Sequence, residues 1–283
     1  MKKLLVSLQA LLFTCMLAGQ ATMPTRDEIK QFIASRTCIV LEDDAFSAYN
    51  QYIKDAVKLF WNLTPYEFIN GNEFNVRRLN PSYSFIVLTQ TNFESDKTNS
   101  VFNFLNLLQG KNVDRLAQMP EICAVPLSYA GEDDFVYSYK LGAILEFMQK
   151  HALLVKEDPN RTGRDYLKYY NENIPDITNK TILIRQEDLT PEIATIGRIK
   201  AICPYNIRIA TEDEIMEAIG ARAADTVFLH KVGPVGERKG EGYCFKMFIG
   251  TDDANVYYYD LHSISKANPN GLLPSDLKRL SRK

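Results

Sequence analysis

Two acidic clusters, Glu42-Asp43-Asp44 and Glu187-Asp188, are the residues of this chain whose type and placement come closest to chemistry. Each follows a short apolar run, residues 38–41 and 181–184, that reads as a β-strand, and open α/β sheets bind ligands at the carboxyl ends of their strands. Carboxylates grouped there could hold a cation or serve as general acid and base. Local physics favours a plainer role, because acids at the start of a helix accept hydrogen bonds from its first amides and oppose its dipole. No histidine is near either cluster in sequence to complete a metal set, so capping is the expected role. The binding candidates are Glu42, Asp43, Glu187 and Asp188, together with Trp61 and Tyr66 in the aromatic corner Trp61-Asn62-Leu63-Thr64-Pro65-Tyr66.

Other chemistry is hard to assemble. The three histidines, His151, His230 and His262, show no HExxH spacing, and no Cys-x-x-Cys pair occurs. His151 is expected near a helix end, where a cation complements the dipole, and the other two at strand ends. Neither a G-x-S-x-G elbow, an S-x-x-K pair nor a phosphate-binding P-loop is present. The glycine-rich segment 233–242 carries Arg238 and Lys239, but strands flank it on both sides, so it reads as a hairpin connection and not as an anion cradle. No catalytic residue, metal or cofactor is expected. Tyr257, Tyr258 and Tyr259 fall on successive strand positions and so cannot share one face.

The elements that must position these residues read as the same unit twice. In the first half the strand at 38–41 leads to a helix whose apolar positions Phe46, Tyr49, Ile53, Ala56, Val57 and Phe60 recur at steps of three and four. Asp44 or Ser47 can cap it, and Thr64-Pro65 stops it. Strands at 66–70 and 83–88 follow, around a helical or irregular piece, and then an antiparallel pair, VFNFLNLLQG and EICAVPLSY. The second half offers TILIRQED, a helix opened by Thr190-Pro191, PYNIRIA, a helix begun by the capping box Thr211-Glu212-Asp213-Glu214, TVFLHKV, and the pair YCFKMFIG and NVYYYDLHSI. The fold class is α/β with mixed sheets: two tandem related β-α-β-α-β-β-β units. The first spans 22–155 and ends in an added helix with a stripe of Leu141, Ile144, Leu145, Met148 and Ala152. A linker follows at 156–179, and the second unit spans 180–283. Each unit is expected to close its own interior.

Residues 1–21 combine Lys2 and Lys3 with an apolar stretch at 4–18 and the ending Gly19-Gln20-Ala21, the pattern of a secretory signal cleaved after Ala21. Phe13, two residues before Cys15, fits a lipid-attachment box poorly, and no later run reaches the length of a membrane span. The formal charge of −2, about −4 without the leader, has no basic stripe that would suit nucleic acid. Lys278, Arg279, Arg282 and Lys283 read as a solvated helix end. Cys38, Cys123, Cys203 and Cys244 enter an oxidising compartment, where three pairings are open to them, although their apolar neighbours favour buried free thiols.

The stretch PYNIRIATEDEIMEAIGARAADTVFLHKVG resembles the periplasmic α/β module at the N-terminus of TolB and in curli-secretion lipoproteins. Through YIKDAVKLFWNLTPYEFIN and the AGQA end of the leader, the chain also resembles uncharacterised exported proteins of Bacteroidota, and Asp225-Thr226-Val227 then resembles the O-glycosylation motif of that phylum, with Thr226 as acceptor. These resemblances imply a periplasmic or envelope location and transfer no catalytic residue. The expected function is non-enzymatic: a binding or scaffold protein that engages another envelope protein through the surface between its units. The alternative is a small-molecule or peptide binder with its pocket at the acidic strand ends, and an unfamiliar hydrolase comes third.

Overall fold

The computed structural model describes residues 22–44, 46–93, 96–161, 163–235 and 240–282. The leader, Arg238, Lys239 and Lys283 lie outside them. Two five-stranded mixed sheets carry the fold. In the first, β1 (Arg36–Val40) runs parallel to both neighbours, β2 (Tyr66–Ile69) and β3 (Tyr83–Asn92). Strands β4 (Val101–Gln109) and β5 (Glu121–Tyr129) extend it antiparallel, giving the order β2-β1-β3-β4-β5. In the second, β6 (Thr181–Ile184) is parallel to β7 (Ile207–Ile209) and β8 (Thr226–Val232), and β9 (Tyr243–Gly250) and β10 (Val256–Ser263) continue antiparallel. Its order, β7-β6-β8-β9-β10, matches the first sheet strand for strand in neighbours and direction.

The central strands read as nearly continuous apolar runs because both faces of each sheet are covered. On the first sheet, Cys38, Val40, Phe85 and Val87 face α3 (Gly71–Arg77) with Phe74 and Met119, while Ile39 and Ile86 face the opposite way. That second face meets α1 (Arg26–Ala34), started by a Thr25–Glu28 capping box, and α2 (Ala48–Phe60). Ser47 caps α2 by accepting from the Asn50 N–H. Phe46 therefore precedes the helix, and it is 96% exposed instead of joining the apolar stripe. In the second half the helix expected to open at Thr190-Pro191 opens later. Pro191–Ile193 forms one tight turn, and α7 (Ile196–Ile202) begins behind the cap Thr195. The Thr211–Glu214 capping box starts α8 (Glu212–Gly220) as its spacing demands.

The interiors of the two halves are joined. After the short α4 (Phe135–Ser138), helix α5 (Leu141–Glu157) buries its first two turns on nearly every side, where the run 141–145 is wholly apolar, and turns Lys150, Leu153, Lys156 and Glu157 outward. One continuous cluster runs from Ile39, Ile53 and Ile86 through Leu145 and Met148 to Ile215, Phe228 and Ile249 of the second half. A second junction is aromatic. Phe93 lies 5.6 Å from Tyr243 and 5.9 Å from Phe245, and Phe102 lies 5.4 Å from Phe245, by ring centres. The two interiors join where each unit turns one apolar sheet face toward the other with α5 between them, while each outer face closes a cluster of its own half's residues.

The connector at 156–179 is itself folded, with α6 (Gly163–Asn171) followed by a tight helical stretch, Ile174–Asn179. Tyr166 and Tyr170 are buried, and His151 Nδ1 lies 2.6 Å from the Tyr170 hydroxyl oxygen. Asn171 accepts from the Tyr259 N–H at 2.9 Å and donates to the Tyr259 carbonyl at 3.1 Å, while Asn173 donates to the Val256 carbonyl at 2.9 Å. Two side chains thus stand where an eleventh strand would pair with the rim of β10. The C-terminal helix α9 (Pro274–Leu280) is fixed by a buried ion pair: Lys246 Nζ lies 2.6 Å from Asp276 and 2.9 Å from Asp260, and the Tyr258 hydroxyl donates to Asp276 at 2.6 Å. Cys38, Cys123, Cys203 and Cys244 are buried free thiols.

Candidate functional site

The structure sorts the binding candidates sharply. At the end of β1, Asn50 accepts from the Glu42 N–H and donates to the Glu42 and Asp44 carbonyls, the Ser47 hydroxyl donates to Glu42, and Asp44 accepts from the Phe46 N–H. Burial raises the Glu42 carboxyl above its usual range, with the Asp134 and Asp44 charges adding to the effect and the Ser47 hydrogen bond opposing it. Asp43 is exposed. This corner is a loop organised around Asn50 of α2; its acids do not cap the helix as expected, because Ser47 holds that position. Trp61 is 4% exposed and its indole N–H donates to Thr64, whose hydroxyl continues a buried chain through Thr37 and Ser84 to Ser35. Gln149 of α5 accepts from the Asn62 and Leu63 amides and donates to the Phe60 carbonyl. The aromatic corner therefore closes the core, and Tyr66, half-buried, packs edge-on against Phe68. Thr226 is half-buried at the first position of β8, its hydroxyl donating to the Ala224 carbonyl.

The acids after β6 behave differently. Glu187 and Asp188 form the tight turn Gln186–Asp188 and cap no α-helix. They line a cleft of about 820 Å³ between the two sheets. The first half contributes Ser128 from the end of β5, Glu132, Val136 and Lys140; the second contributes Arg185, Lys231, Val232 and Asn270. The chain builds this wall by a close backbone approach. Leu272 donates to the Asp188 carbonyl at 2.7 Å, and Thr190 donates to the Leu272 carbonyl. Gly271, at φ +134°, sits so near that a Cβ would lie 3.0 Å from the Asp188 carbonyl oxygen. Asp188 is thereby held against the 271–272 backbone, while the Asn270 side chain turns to Gly233 and Pro234 and donates to the Pro234 carbonyl at 2.6 Å.

Charge in the cleft is only partly paired. Arg185 is clamped by Glu187 and by Glu212 at 2.7 Å, and it donates to the Tyr139 hydroxyl at 3.3 Å. Glu132 accepts the Tyr129 N–H at 2.7 Å, and burial raises its carboxyl above the usual range. Lys140, just before α5, is 2% exposed, and its ammonium lies over the Tyr139 ring at 4.9 Å from the centre. It makes no hydrogen bond or ion pair among the described residues. Burial pulls it down from 10.5 to about 8, with the Asp188 charge opposing that fall and Arg185 adding to it. Asp188 is 5% exposed; one oxygen lies 3.9 Å from Lys231 Nζ, and the other has no partner among the described residues. Arg185 Nε and Asn270 Oδ1 are likewise buried and unpartnered. Unmet donors and acceptors of both signs therefore meet at one cavity, where each costs about 1–3 kcal/mol or more unless something binds it.

The histidines stand apart from this chemistry. His151 lies inside α5 and His230 inside β8, its Nε2 2.7 Å from the Pro126 carbonyl oxygen across the junction of the halves. Burial lowers them to about 4 and about 3, so both rings are neutral and His151 does not complement a helix dipole. Among the described residues no group of three or more His, Cys, Asp or Glu is placed to hold a metal ion. Sequence reasoning found Glu187 and Asp188 but missed Arg185, Lys231 and Asn270, which the folding of the second half gathers, and Lys140, which joins them only when the halves pack. The one available signal was Lys140 itself, a charge immediately before the apolar run 141–145. Comparison with protein-family models, curated proteins and solved structures finds no match.

Proposed function

We propose that the chain is a non-enzymatic binding protein that holds a small ligand in the cleft between its two sheets, in the periplasmic or envelope setting its leader implies. One observation carries the reading: charged side chains from both halves line an 820 Å³ cleft, and two of them, Arg185 and Asp188, keep a buried polar atom without a partner among the described residues. Small-molecule sites are commonly concave spaces of this size at unit interfaces, with a few convergent polar groups. The matching strand orders of the sheets support descent from one copied unit, with the second copy's first-strand turn opened into a pocket and the first copy's held shut by Asn50. Hydrogen exchange of the full chain with and without a metabolite extract tests the proposal. Protection is expected at 185–191 and 231–235, retained in Asp43→Ala and lost in Asp188→Ala; no change in either segment overturns it.

Exposed aromatics favour a second reading, a protein-binding scaffold. Phe46 is 96% exposed, and Phe135, 55% exposed, lies edge-on to Tyr52. Crosslinking in intact cells tests it, and a chain captured only with itself at native abundance counts against it. Among the described residues no helix is long and apolar enough to cross a membrane.

A further inference from the structure

We infer that the cleft takes an organic acid, an apolar body carrying a single carboxylate that sits against the Lys140 ammonium. The inference rests on the cleft being a ligand site and adds the chemistry of its occupant. Most charges of the wall are answered by the protein itself. Arg185 is held by Glu187 and Glu212, Lys231 stands 3.9 Å from Asp188, and Glu132 accepts the Tyr129 N–H at 2.7 Å. Lys140 is the exception. It is 2% exposed, it lines the cleft, and its three N–H donors meet no acceptor among the described residues. Glu132 and Asp188 act on it only at a distance. Nor is the ammonium sealed away: Arg185 Nε and Asp188 Oδ2 are closed-off atoms without a partner, whereas Lys140 Nζ is not among them. A carboxylate entering the cleft therefore finds a cation already stripped of most of its water, and it breaks no existing bridge to reach it.

The rest of the lining sets what that carboxylate is attached to. Leu127, Val136, Leu189, Val232 and Ile264 border the same space, together with three prolines. Such a surface gains by exchanging water for an apolar body. Phosphate, small and strongly hydrated, leaves it wet and brings more charge than the one cation left unanswered. An organic cation meets Lys140 as a like charge, and a neutral molecule leaves a buried charge uncompensated. Lys266 also lines the cleft, but it is exposed and keeps its water, so it adds little to the hold on an anion.

The test uses the full mature chain and isothermal titration with four probes below their micellar concentrations: decanoate and 3-phenylpropanoate, the methyl esters of both, decylammonium, and inorganic phosphate. Expected are binding of at least one of the two acids, at least tenfold weakening in its ester, and no binding of decylammonium or phosphate. Lys140→Met weakens the acid tenfold or more and leaves its ester within twofold, while Lys30→Met, which removes an exposed lysine of α1, changes neither. If an ester binds as well as its acid, or Lys140→Met weakens both alike, the anion at Lys140 is wrong although the cleft still binds. If phosphate binds and the acids do not, the apolar body is wrong. If a metabolite extract protects 185–191 but no acid binds, the ligand class falls alone; if nothing binds or protects, both readings fall. Should Lys140→Met not fold, the comparison of acid with ester on the native chain still decides.

Discussion

Replacing Lys140 by methionine should make the protein more stable at neutral pH. The side chain keeps its length and loses a charge that the fold hosts at a cost. A proton affinity lowered from 10.5 to about 8 corresponds to about 1.4 kcal/mol per tenfold, so the buried ammonium weighs about 3 kcal/mol against folding. Loss of the contact with the Tyr139 ring returns about 0.5–1 kcal/mol, leaving a gain of about 2 kcal/mol for Lys140→Met at pH 7. The sign is that of a base whose folded affinity for protons is depressed. Its cost is fully present below pH 8 and disappears as pH rises toward 10.5, because the unfolded chain then also gives up the proton. Urea unfolding of both proteins at about pH 7 and about pH 10 reads this directly. The difference in unfolding free energy should shrink by about 2 kcal/mol between the two. A difference that stays constant with pH, or a methionine variant less stable at pH 7, refutes the reasoning.

Lys246→Met should do the opposite, since it strands Asp276 and Asp260 in the interior; a loss of about 3–5 kcal/mol in urea unfolding is expected, and a change under about 1 kcal/mol counts against a buried pair. His151 and His230 stay neutral in the fold, near 4 and 3, so stability is complete above about pH 6.5 and declines as pH falls, by up to about 1.4 kcal/mol per pH unit for each ring. Glu121, raised to about 7 by burial, opposes one ring between pH 4.5 and 7. His151→Phe should lower the slope in that window by up to about 1.4 kcal/mol per unit; an unaltered slope would show that this ring is not buried neutral. The four cysteines should resist a thiol reagent in native buffer and all react in denaturant, since burial raises each thiol and carries Cys38 to about 11. Rapid native labelling of any of them would contradict the packing.

Much of the fold was legible because it is written in local terms. Period-two and apolar runs marked the strands, and the Thr211–Glu214 box marked the start of α8. The apolar stripe of α5 announced a helix with a core-facing side, and the structure buries more of it than that stripe. The misplacements share a cause. Phe46 continues the helical period of α2 on paper, but Ser47 takes the cap and leaves the ring outside. Thr190-Pro191 has the chemistry of a helix start, yet the backbone bond to Leu272 commits Thr190 elsewhere. Half of the cleft was readable and half was not: Glu187 and Asp188 sit where strand-end logic points, whereas Lys140 arrives from 48 positions earlier in the chain. Burial of a polar side chain depends on what packs over it, and no window of sequence contains that.

The two asparagines that occupy the rim of β10 make the connector an obligate part of the second sheet. A tether between repeated units ordinarily tolerates lengthening or replacement, but here a shift of even one residue would withdraw the amides that blunt an otherwise bare row of peptide groups. The molecule so altered would still fold and would carry a template for its own copies, so that filaments, and not misfolding of either half, would be the characteristic failure of a chain engineered at this joint.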